Sequence, residues 1–238
     1  MIPQPLLEII DLASHRGDRI LFEGLCLRIH KGEAVQINGP NGSGKTTLLR
    51  IVCGLLAPTA GAIRWQGDPI PFGDERLRSE IQYLGHAKGI KAELTPEENL
   101  AFAIALSERP PERGIDEALD RLGIGAFGDS PVRQLSAGQR QRVALARLLV
   151  CKAALWVLDE PFTALDMHGI EVMGAMLVDH GKKGGAALLT SHQPISLGGI
   201  PLRSVSIEGG ESAIPPSLDA GEPRVIEPAA SKPEAART

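Results

Sequence analysis

The chain has 238 residues, enough for one large α/β domain or two small ones with a substantial core. Hydrophobic residues make up 43% of it and charged residues 23%, which excludes a wholly disordered or fibrous protein. The formal net charge of −4 and the 3% aromatic content argue against a protein that binds nucleic acid or anionic lipid mainly by charge or base stacking.

Short runs rich in Ile, Val and Leu alternate with longer helical segments, a pattern typical of βα units around a mainly parallel sheet. A helix is predicted over Thr46–Leu56, and Gly54 and Pro58 indicate that it ends near this point. The predicted strands are Leu6–Leu12, Leu25–Ile29, Ala34–Ile37, Ala154–Leu158 and Ala187–Thr190.

The segment between residues 87 and 135 differs from the α/β pattern around it. Thr95 and Glu98 have the spacing of a capping box with Pro96 at the first helical position, and Asp116–Leu122 starts another helix. We therefore predict a helical subdomain over about 87–150, inserted in a nucleotide-binding domain at 1–210. Residues 211–238 hold five of the eighteen prolines without apolar periodicity, so we predict a disordered tail, with a partner-binding segment as the alternative.

A glycine-rich loop of the form GxxxxGK[ST] follows the third predicted strand and precedes a predicted helix. Glycines let backbone N–H groups surround phosphates, and the helix N-terminus adds partial positive charge. We expect Lys45 to reach the β- and γ-phosphates and the Thr46 hydroxyl to ligate Mg²⁺. The predicted nucleotide-binding residues of this loop are Gly39, Pro40, Asn41, Gly42, Ser43, Gly44, Lys45, Thr46 and Thr47.

A pair of carboxylates, Asp159 and Glu160, ends another apolar strand. Parallel sheets bind ligands at the carboxyl ends of their strands, so Asp159 is predicted to face the metal ion. Glu160 is predicted to polarise an attacking water, which favours hydrolysis over phosphate transfer to a substrate. The alternative interpretation is that the pair only caps a helix.

A second helix start lies at Leu135-Ser136-Ala137-Gly138-Gln139, before the predicted helix Arg140–Val150. Ser136 and Gln139 have capping-box spacing, so the simplest interpretation is a well-capped helix. The same geometry is also an anion site, because Gly138 exposes a helix N-terminus. Two copies arranged head to tail would let each Ser136 helix cover the nucleotide on the partner's phosphate loop.

This set of motifs resembles that of ABC-type ATPases over roughly residues 5–207, including Thr163-Ala164-Leu165-Asp166 and Ser191-His192-Gln193. The resemblance implies a P-loop NTPase core of α/β class, with an antiparallel β subdomain and the helical insertion. It also implies ATP and Mg²⁺ as cofactors, ATP hydrolysis, and a dimer with nucleotide between two copies. It further implies that Ser136, Ala137, Gly138 and Gln139 contact the nucleotide across that dimer. By the same resemblance Asp166 is a nucleotide-site residue in the loop that joins the two subunits, and His192 contacts the γ-phosphate, stabilises the transition state and is catalytic with Glu160.

Two positions depart from the usual pattern of that family. Arg16 stands where an aromatic residue usually stacks on adenine; its guanidinium can stack on a base, or it is a solvated loop charge. His86 stands where a glutamine usually senses Mg²⁺ and contacts the membrane subunit, and its charge would vary near neutral pH. The resemblance makes the coupling loop at residues 84–94 unusual for the family.

The segments around Tyr83–His86, Lys88–Lys91 and Thr190–Pro194 are similar to one subgroup, the ATP-binding subunits of bacterial cytochrome c maturation, or haem exporter A proteins. This resemblance implies integral-membrane permease partners, a peripheral position on the cytoplasmic face of the inner membrane, and hydrolysis coupled to haem export or release of a haem-loaded chaperone. Alternatives are a subunit of another transporter, or a soluble ABC ATPase acting on ribosomes or DNA. The acidic balance of residues 87–135, six Lys/Arg against nine Asp/Glu, disfavours direct nucleic-acid binding.

The remaining cysteines and histidines carry no haem-binding signature. Cys26, Cys53 and Cys151 lie far apart without a CxxC pair, and are interpreted as reduced core residues. Since CxxCH is absent, no specific haem binding is expected. The histidines interpreted as surface or turn residues are His30, His168 and His180.

Neither a signal peptide nor a membrane span is expected from the sequence. The N-terminal residues carry acids early and lack a basic region followed by an apolar one. The uncharged stretch Ile51–Ile63 has only 13 residues and contains Pro58, so it is too short to span a membrane.

Overall fold

The computed structural model describes residues 4–85, 88–107, 110–191 and 195–207. In chain order the main elements are β1 (Leu7–Arg16), β2 (Arg19–Ile29), β3 (Ala34–Asn38), α1 (Lys45–Val52), β4 (Ala60–Trp65), β5 (Asp68–Ile70), α2 (Glu75–Arg78), β6 (Ile81–Leu84), α3 (Pro96–Leu106), α4 (Ile115–Arg121), α5 (Ala137–Val150), β7 (Leu155–Leu158), α6 (Met167–Lys182), β8 (Ala186–Thr190) and β9 (Leu202–Ser206). Two short 3₁₀ helices, Gly125–Phe127 and Val132–Gln134, precede α5. None of the described helices has both the length and the apolar character needed to cross a membrane.

A parallel sheet in the order β6-β7-β8-β3-β9 forms the centre of the molecule. Successive residues of a strand point to opposite faces, and both faces here are covered. In β7, Leu155 and Val157 belong to the hydrophobic core on one side, whereas Trp156 and Leu158 belong to the core on the other. Burial on both faces explains why the strand is a continuous apolar run, as the sequence indicated.

An antiparallel sheet in the order β2-β1-β4-β5 covers one side of this centre together with α1. The predicted strands at residues 6–12 and 25–29 are confirmed, but both are longer, because they continue into a hairpin that pairs Ser14 with Phe22 and Arg16 with Arg19. The sequence pattern missed these extensions, because residues 15–20 around the hairpin turn are exposed and mostly polar and therefore lack apolar alternation. The structure is therefore mixed α/β with one parallel and one antiparallel sheet, as predicted.

Helices α3, α4 and α5 pack against one another and share the hydrophobic core on the opposite side of the parallel sheet with α6. Both predicted capping boxes are formed: Thr95 Oγ1 accepts from the Glu98 N–H, and Ser136 Oγ accepts from the Gln139 N–H. These caps satisfy backbone donors that the first turn of a helix leaves unpaired. The boundary of the helical subdomain at about 87–150 stays a prediction.

The first helix is shorter than the predicted Thr46–Leu56. It ends at Val52, because Gly54 adopts a left-handed conformation (φ 65°) that closes the helix. Leu55 beyond it is exposed. The sequence analysis did not predict β4, β5, β6, β9, α2 or α6 as separate elements.

His180 was expected at the surface, and this interpretation was wrong. Its ring is buried and stacks on Trp156, with centroids 4.0 Å apart and planes 5° from parallel. Its Nε2 atom lies 3.2 Å from the Ala186 carbonyl oxygen, and a Cβ at Gly185 would stand 2.2 Å from the ring. Burial lowers the pKa of His180 to about 4, so the ring is neutral in the folded protein.

The other residues of this group differ in their burial. His168 is exposed, as predicted, and His30 is half-buried. All three cysteines are free; Cys53 and Cys151 are buried and Cys26 is half-buried. Burial raises the pKa of the Cys53 thiol to about 12, which makes it unreactive.

We predict that His180 makes folding less favourable as the pH falls from about 6.5 to about 4. In that window the unfolded chain binds a proton at His180 and the folded chain does not, so the free energy of unfolding decreases with falling pH, by on the order of 3 kcal/mol in total. Urea unfolding of the His180→Phe variant should have a flatter pH dependence than the wild type, whereas the exposed control His168→Gln should match the wild type. Identical slopes for His180→Phe and the wild type would contradict this assignment.

Candidate functional site

The glycine-rich loop joins β3 to α1 and is shaped by close packing at two glycines. A Cβ at Gly39 (φ 147°) would stand 2.4 Å from the carbonyl oxygen of Ile207 and 2.7 Å from Ser43 Oγ. A Cβ at Gly44 (φ 102°) would stand 2.9 Å from the Phe22 ring. Only glycine fits these positions, because both the backbone angle and the surrounding atoms exclude a side chain.

The interior of this loop presents groups that bind anions. Lys45 Nζ donates to the carbonyl oxygens of Gly39 at 2.7 Å and Pro40 at 3.0 Å, so the ammonium lies within the loop. Helix α1 starts at Lys45 without a side-chain cap on its first N–H groups. Ser43 Oγ is buried without a hydrogen-bond partner among the described residues, which leaves a further donor for a phosphate oxygen.

Two hydroxyl groups meet one carboxylate beside this loop. Thr46 Oγ1 lies 3.3 Å and Thr190 Oγ1 2.9 Å from Asp159 Oδ1. Mg²⁺ prefers oxygen ligands and usually takes one or two side chains together with substrate phosphates. The described ranges contain no group of three or more His, Cys, Asp and Glu that would hold a metal ion unaided. The oxygen ligands present, Thr46 and Asp159, therefore suit a Mg²⁺ ion whose remaining coordination positions are filled by the oxygens of a nucleotide and by water.

Glu160 follows Asp159 in an uncommon backbone conformation. Its φ is 54°, in the left-handed region that residues with a Cβ seldom adopt. Its N–H donates to Thr190 Oγ1 at 2.9 Å. Sequence reasoning did not assign Thr190 to the site; the available signal was a hydroxyl side chain at the carboxyl end of an otherwise apolar strand.

A cleft of about 380 Å³ brings these residues together. Arg16, at the end of β1, lines the cleft, and Arg19 beyond the hairpin turn donates to the carbonyl oxygen of Gly42 at 3.2 Å. Sequence reasoning missed Arg19, because no local pattern shows that the hairpin reaches the glycine-rich loop. Stacking of Arg16 on a base stays a prediction. The cleft is lined by Arg16, Leu21, Asn41, Gly42, Gly44, Lys45, Thr46, Thr47, Arg50, Asp159 and Glu160.

The residues at the start of α5 form a second group that does not line this cleft. A Cβ at Gly138 would stand 3.0 Å from the Ala164 carbonyl oxygen, and Arg142 Nη2 donates to Asp166 Oδ1 at 2.6 Å. Asp166 also caps α6 by accepting from the Gly169 N–H at 2.8 Å. The Gly169 N–H and the Arg142 guanidinium lower the pKa of Asp166, so this carboxylate is charged.

The predicted site residues thus fall into two separate groups within one chain. The glycine-rich loop, Asp159 and Glu160 share the cleft, whereas the group at residues 136–139 contacts the loop that ends at Asp166. His86 and His192 lie outside the described residues, as does the tail 211–238. Their assignments stay predictions.

Known proteins of one kind match this chain over most of its length. A sequence model described as ABC transporter matches residues 22–163. The chain is 48% identical over 196 residues to the "Cytochrome c biogenesis ATP-binding export protein CcmA" of Nitrosococcus oceani, covering 82% of this chain and 89% of that protein. It is 46% identical over 203 residues to the protein of the same name from Vibrio cholerae, covering 85% and 98%.

Solved structures agree with this likeness. One, an ATP binding subunit of an ABC transporter, has a TM-score of 0.70 and 27% identity, with 79% of each chain covered. Another, cbiO1 from Clostridium perfringens, part of the ABC transporter complex cbiONQ, has a TM-score of 0.66 and 30% identity, with 80% of this chain and 79% of that chain covered.

We predict that Gly39→Ala abolishes the shape of the phosphate loop. The added methyl group would overlap Ile207 and Ser43, so nucleotide affinity should fall by roughly tenfold or more, equivalent to about 1.4 kcal/mol. Gly73→Ala is a matched control, because Gly73 also has a positive φ (75°) but a Cβ there meets no atom within 4 Å. Titration with a fluorescent nucleotide measures both, and equal affinities for the two variants would show that the close packing is unimportant.

Proposed function

The chain belongs to the ABC transporter family, and from this premise we propose that it is the ATP-hydrolysing subunit of a membrane complex for c-type cytochrome maturation. Its hydrolysis of ATP is coupled to haem export or to release of a haem-loaded chaperone. The similarity to cytochrome c biogenesis ATP-binding proteins over most of the chain supports the cytochrome c assignment. The cleft that joins a phosphate loop to Asp159 and Glu160 carries the ATPase assignment.

Each group of residues in the cleft has a separate role in the proposed hydrolysis of ATP. Backbone N–H groups of the loop and Lys45 bind the phosphates of ATP, and Thr46 with Asp159 would hold Mg²⁺, which neutralises charge on the phosphate oxygens when bound. Glu160 accepts a proton from the attacking water as its oxygen approaches the γ-phosphorus. His192, which follows Thr190 by two residues in the sequence, is proposed to contact the γ-phosphate.

A second copy of the chain would complete the site. The Ser136 helix start and the Asp166 loop lie together but do not line the cleft of their own chain. In a head-to-tail dimer, each copy brings this group to the nucleotide of its partner, where the helix N-terminus faces the γ-phosphate. ATP then holds the dimer closed and hydrolysis releases it. This cycle of closing and opening drives the membrane subunits.

A groove between α2, α3 and α5 suits an integral-membrane permease partner. It has a volume of about 680 Å³, and Phe102 and Leu106 expose apolar surface there beside Arg76 and Arg78. Apolar groups next to charged ones are typical of surfaces that bind another protein. Arg147 in its wall donates to the carbonyl oxygens of Lys88 and Gly89, which connects the groove to the segment predicted to be the coupling loop.

This arrangement implies a peripheral protein on the cytoplasmic face of the bacterial inner membrane. The membrane subunits, rather than this chain, bind the haem or the chaperone. We expect no specific haem binding and no direct nucleic-acid binding by the isolated chain. Stoichiometric haem binding by the purified protein would contradict this division of roles.

We predict that Glu160→Gln lowers the rate of ATP hydrolysis by about a hundredfold or more, because the amide cannot accept the proton of the water. ATP binding should persist, so the variant should accumulate as an ATP-bound dimer in size-exclusion chromatography. The exposed Glu171→Gln is the matched control and should hydrolyse ATP at the wild-type rate.

The dimer has its own test in the same background. Adding Ser136→Arg to Glu160→Gln should prevent the dimer, since a bulky cation would replace the small hydroxyl at the proposed interface. A stable ATP-dependent dimer of the double variant would exclude the head-to-tail arrangement.

The role of Glu160 has a separate outcome. Hydrolysis by Glu160→Gln at the wild-type rate would contradict the proposal that Glu160 accepts the proton of the attacking water.

We predict that Leu106→Asp reduces co-purification with membrane partners by roughly tenfold, because a charge would replace apolar surface in the groove. Leu55→Asp is the matched control, since Leu55 is similarly exposed (57% against 70%) but does not line the groove. The measurement is a pull-down from detergent-solubilised membranes with identification of the partners. Cytochrome c maturation permeases support the proposed function, whereas the permease of a solute transporter would overturn the cytochrome c assignment.

A further inference from the structure

We propose that Thr190 is a positioning residue for ATP hydrolysis, which sets the orientation of both Asp159 and Glu160 through one hydroxyl group. The inference rests on the proposed function, because it assigns a role within the same cleft. Thr190 does not line the cleft itself, so it acts through its two neighbours.

The geometry of the Thr190 hydroxyl leaves it a single arrangement. Oγ1 lies 2.9 Å from the Glu160 nitrogen, whose N–H can only donate, and 2.9 Å from Asp159 Oδ1, which as a carboxylate can only accept. The hydroxyl therefore donates its proton to Asp159 Oδ1, while a lone pair of Oγ1 accepts the hydrogen bond from the Glu160 N–H. Thr190 is 0% exposed and Asp159 7% exposed, so water does not replace these bonds easily.

Asp159 depends on this bond more than on its contact with Thr46. The Thr46 hydroxyl lies farther from Asp159 Oδ1, at 3.3 Å, and it lines the cleft as a predicted ligand of the metal ion. A hydroxyl–carboxylate contact of 3.3 Å is longer than a normal O–H···O hydrogen bond, so it constrains the carboxylate less than one of 2.9 Å. Thr190 is therefore the hydroxyl that orients the Asp159 carboxylate towards the cleft.

Glu160 depends on Thr190 through its backbone. Its left-handed conformation is disfavoured for a residue with a Cβ, and Pro161 further limits the conformations open to the residue before it. The hydrogen bond from the Glu160 N–H to Thr190 Oγ1 stabilises the backbone at this φ of 54°. The direction of the Glu160 side chain follows from the direction of this backbone.

The position of Thr190 in the sheet explains why it reaches both residues. Strands β7 and β8 are parallel neighbours with Leu158 paired to Leu189, so the next residue of each strand, Asp159 and Thr190, lie side by side. His192 follows Thr190 by two residues in the sequence. The hydroxyl thus ties together the ends of the two strands that precede the proposed catalytic groups.

Three variants test this role in the full-length protein. Thr190→Val keeps the shape of the side chain without the hydroxyl, while Thr190→Ser and Thr190→Ala both lose the methyl group and differ from each other only by the hydroxyl. We expect kcat to fall roughly tenfold or more in the Val and Ala variants, and to stay within about threefold of the wild type in the Ser variant.

A binding measurement separates positioning from simple loss of stability. In the Val and Ala variants, affinity for Mn²⁺ in the presence of a non-hydrolysable ATP analogue should weaken. The electron paramagnetic resonance signal of the ion measures this affinity. Affinity for the analogue without metal should equal that of the wild type, because the phosphate loop is unchanged. Thermal unfolding reports any general destabilisation.

The outcomes distinguish this proposal from the proposed function. Equal kcat and equal Mn²⁺ affinity for Thr190→Ala and Thr190→Ser would overturn the role of the hydroxyl, even if Thr190→Val failed to fold. If Glu160→Gln loses hydrolysis in the same assays, the proposed function stands without Thr190. If Glu160→Gln hydrolyses ATP normally, the proposed function itself fails.

Discussion

The contact between the glycine-rich loop and the carboxyl end of β7 is the interaction on which the site depends. Thr46 lies in the first turn of α1 and Asp159 directly follows β7, and their side-chain oxygens lie 3.3 Å apart. The contact exists because β3, β7 and β8 run parallel, which brings their carboxyl ends to one edge. Buried apolar strands hold these ends in register, so the polar groups meet without needing a long loop.

The same architecture separates the chemistry into two parts. Parallel strands present the phosphate loop, Asp159 and Glu160, whereas the start of α5 presents Ser136 beside the loop of Asp166. One chain therefore contains both parts without combining them in its own cleft. This separation supports the proposed cycle, in which nucleotide binding would bring two copies together and the groove beside α3 and α5 would transmit that movement to a membrane partner.

Local rules were sufficient for much of the fold and for half of the site. The glycine-rich loop follows from its spacing between a strand and a helix, and both capping boxes formed where Thr95 and Ser136 stand ahead of their helices. Asp159 was predicted from its place at the end of a buried strand, and the left-handed glycines of the loop confirm the need for glycine there. Such features depend on neighbours within a few residues, so the order of amino acids determines them directly.

The remaining features depend on residues that are distant in the chain. His180 is buried because Trp156 stacks on its ring, Arg19 reaches the glycine-rich loop because a hairpin folds towards it, and the Thr190 hydroxyl meets Asp159 because two strands pair in one register. None of these partners lies within helical or strand spacing of the other, so no periodic pattern indicates them. The sequence by itself determined which chemistry this protein carries; the packing of the sheets decided which side chains share the cleft, because only folding sets distances between segments far apart in sequence.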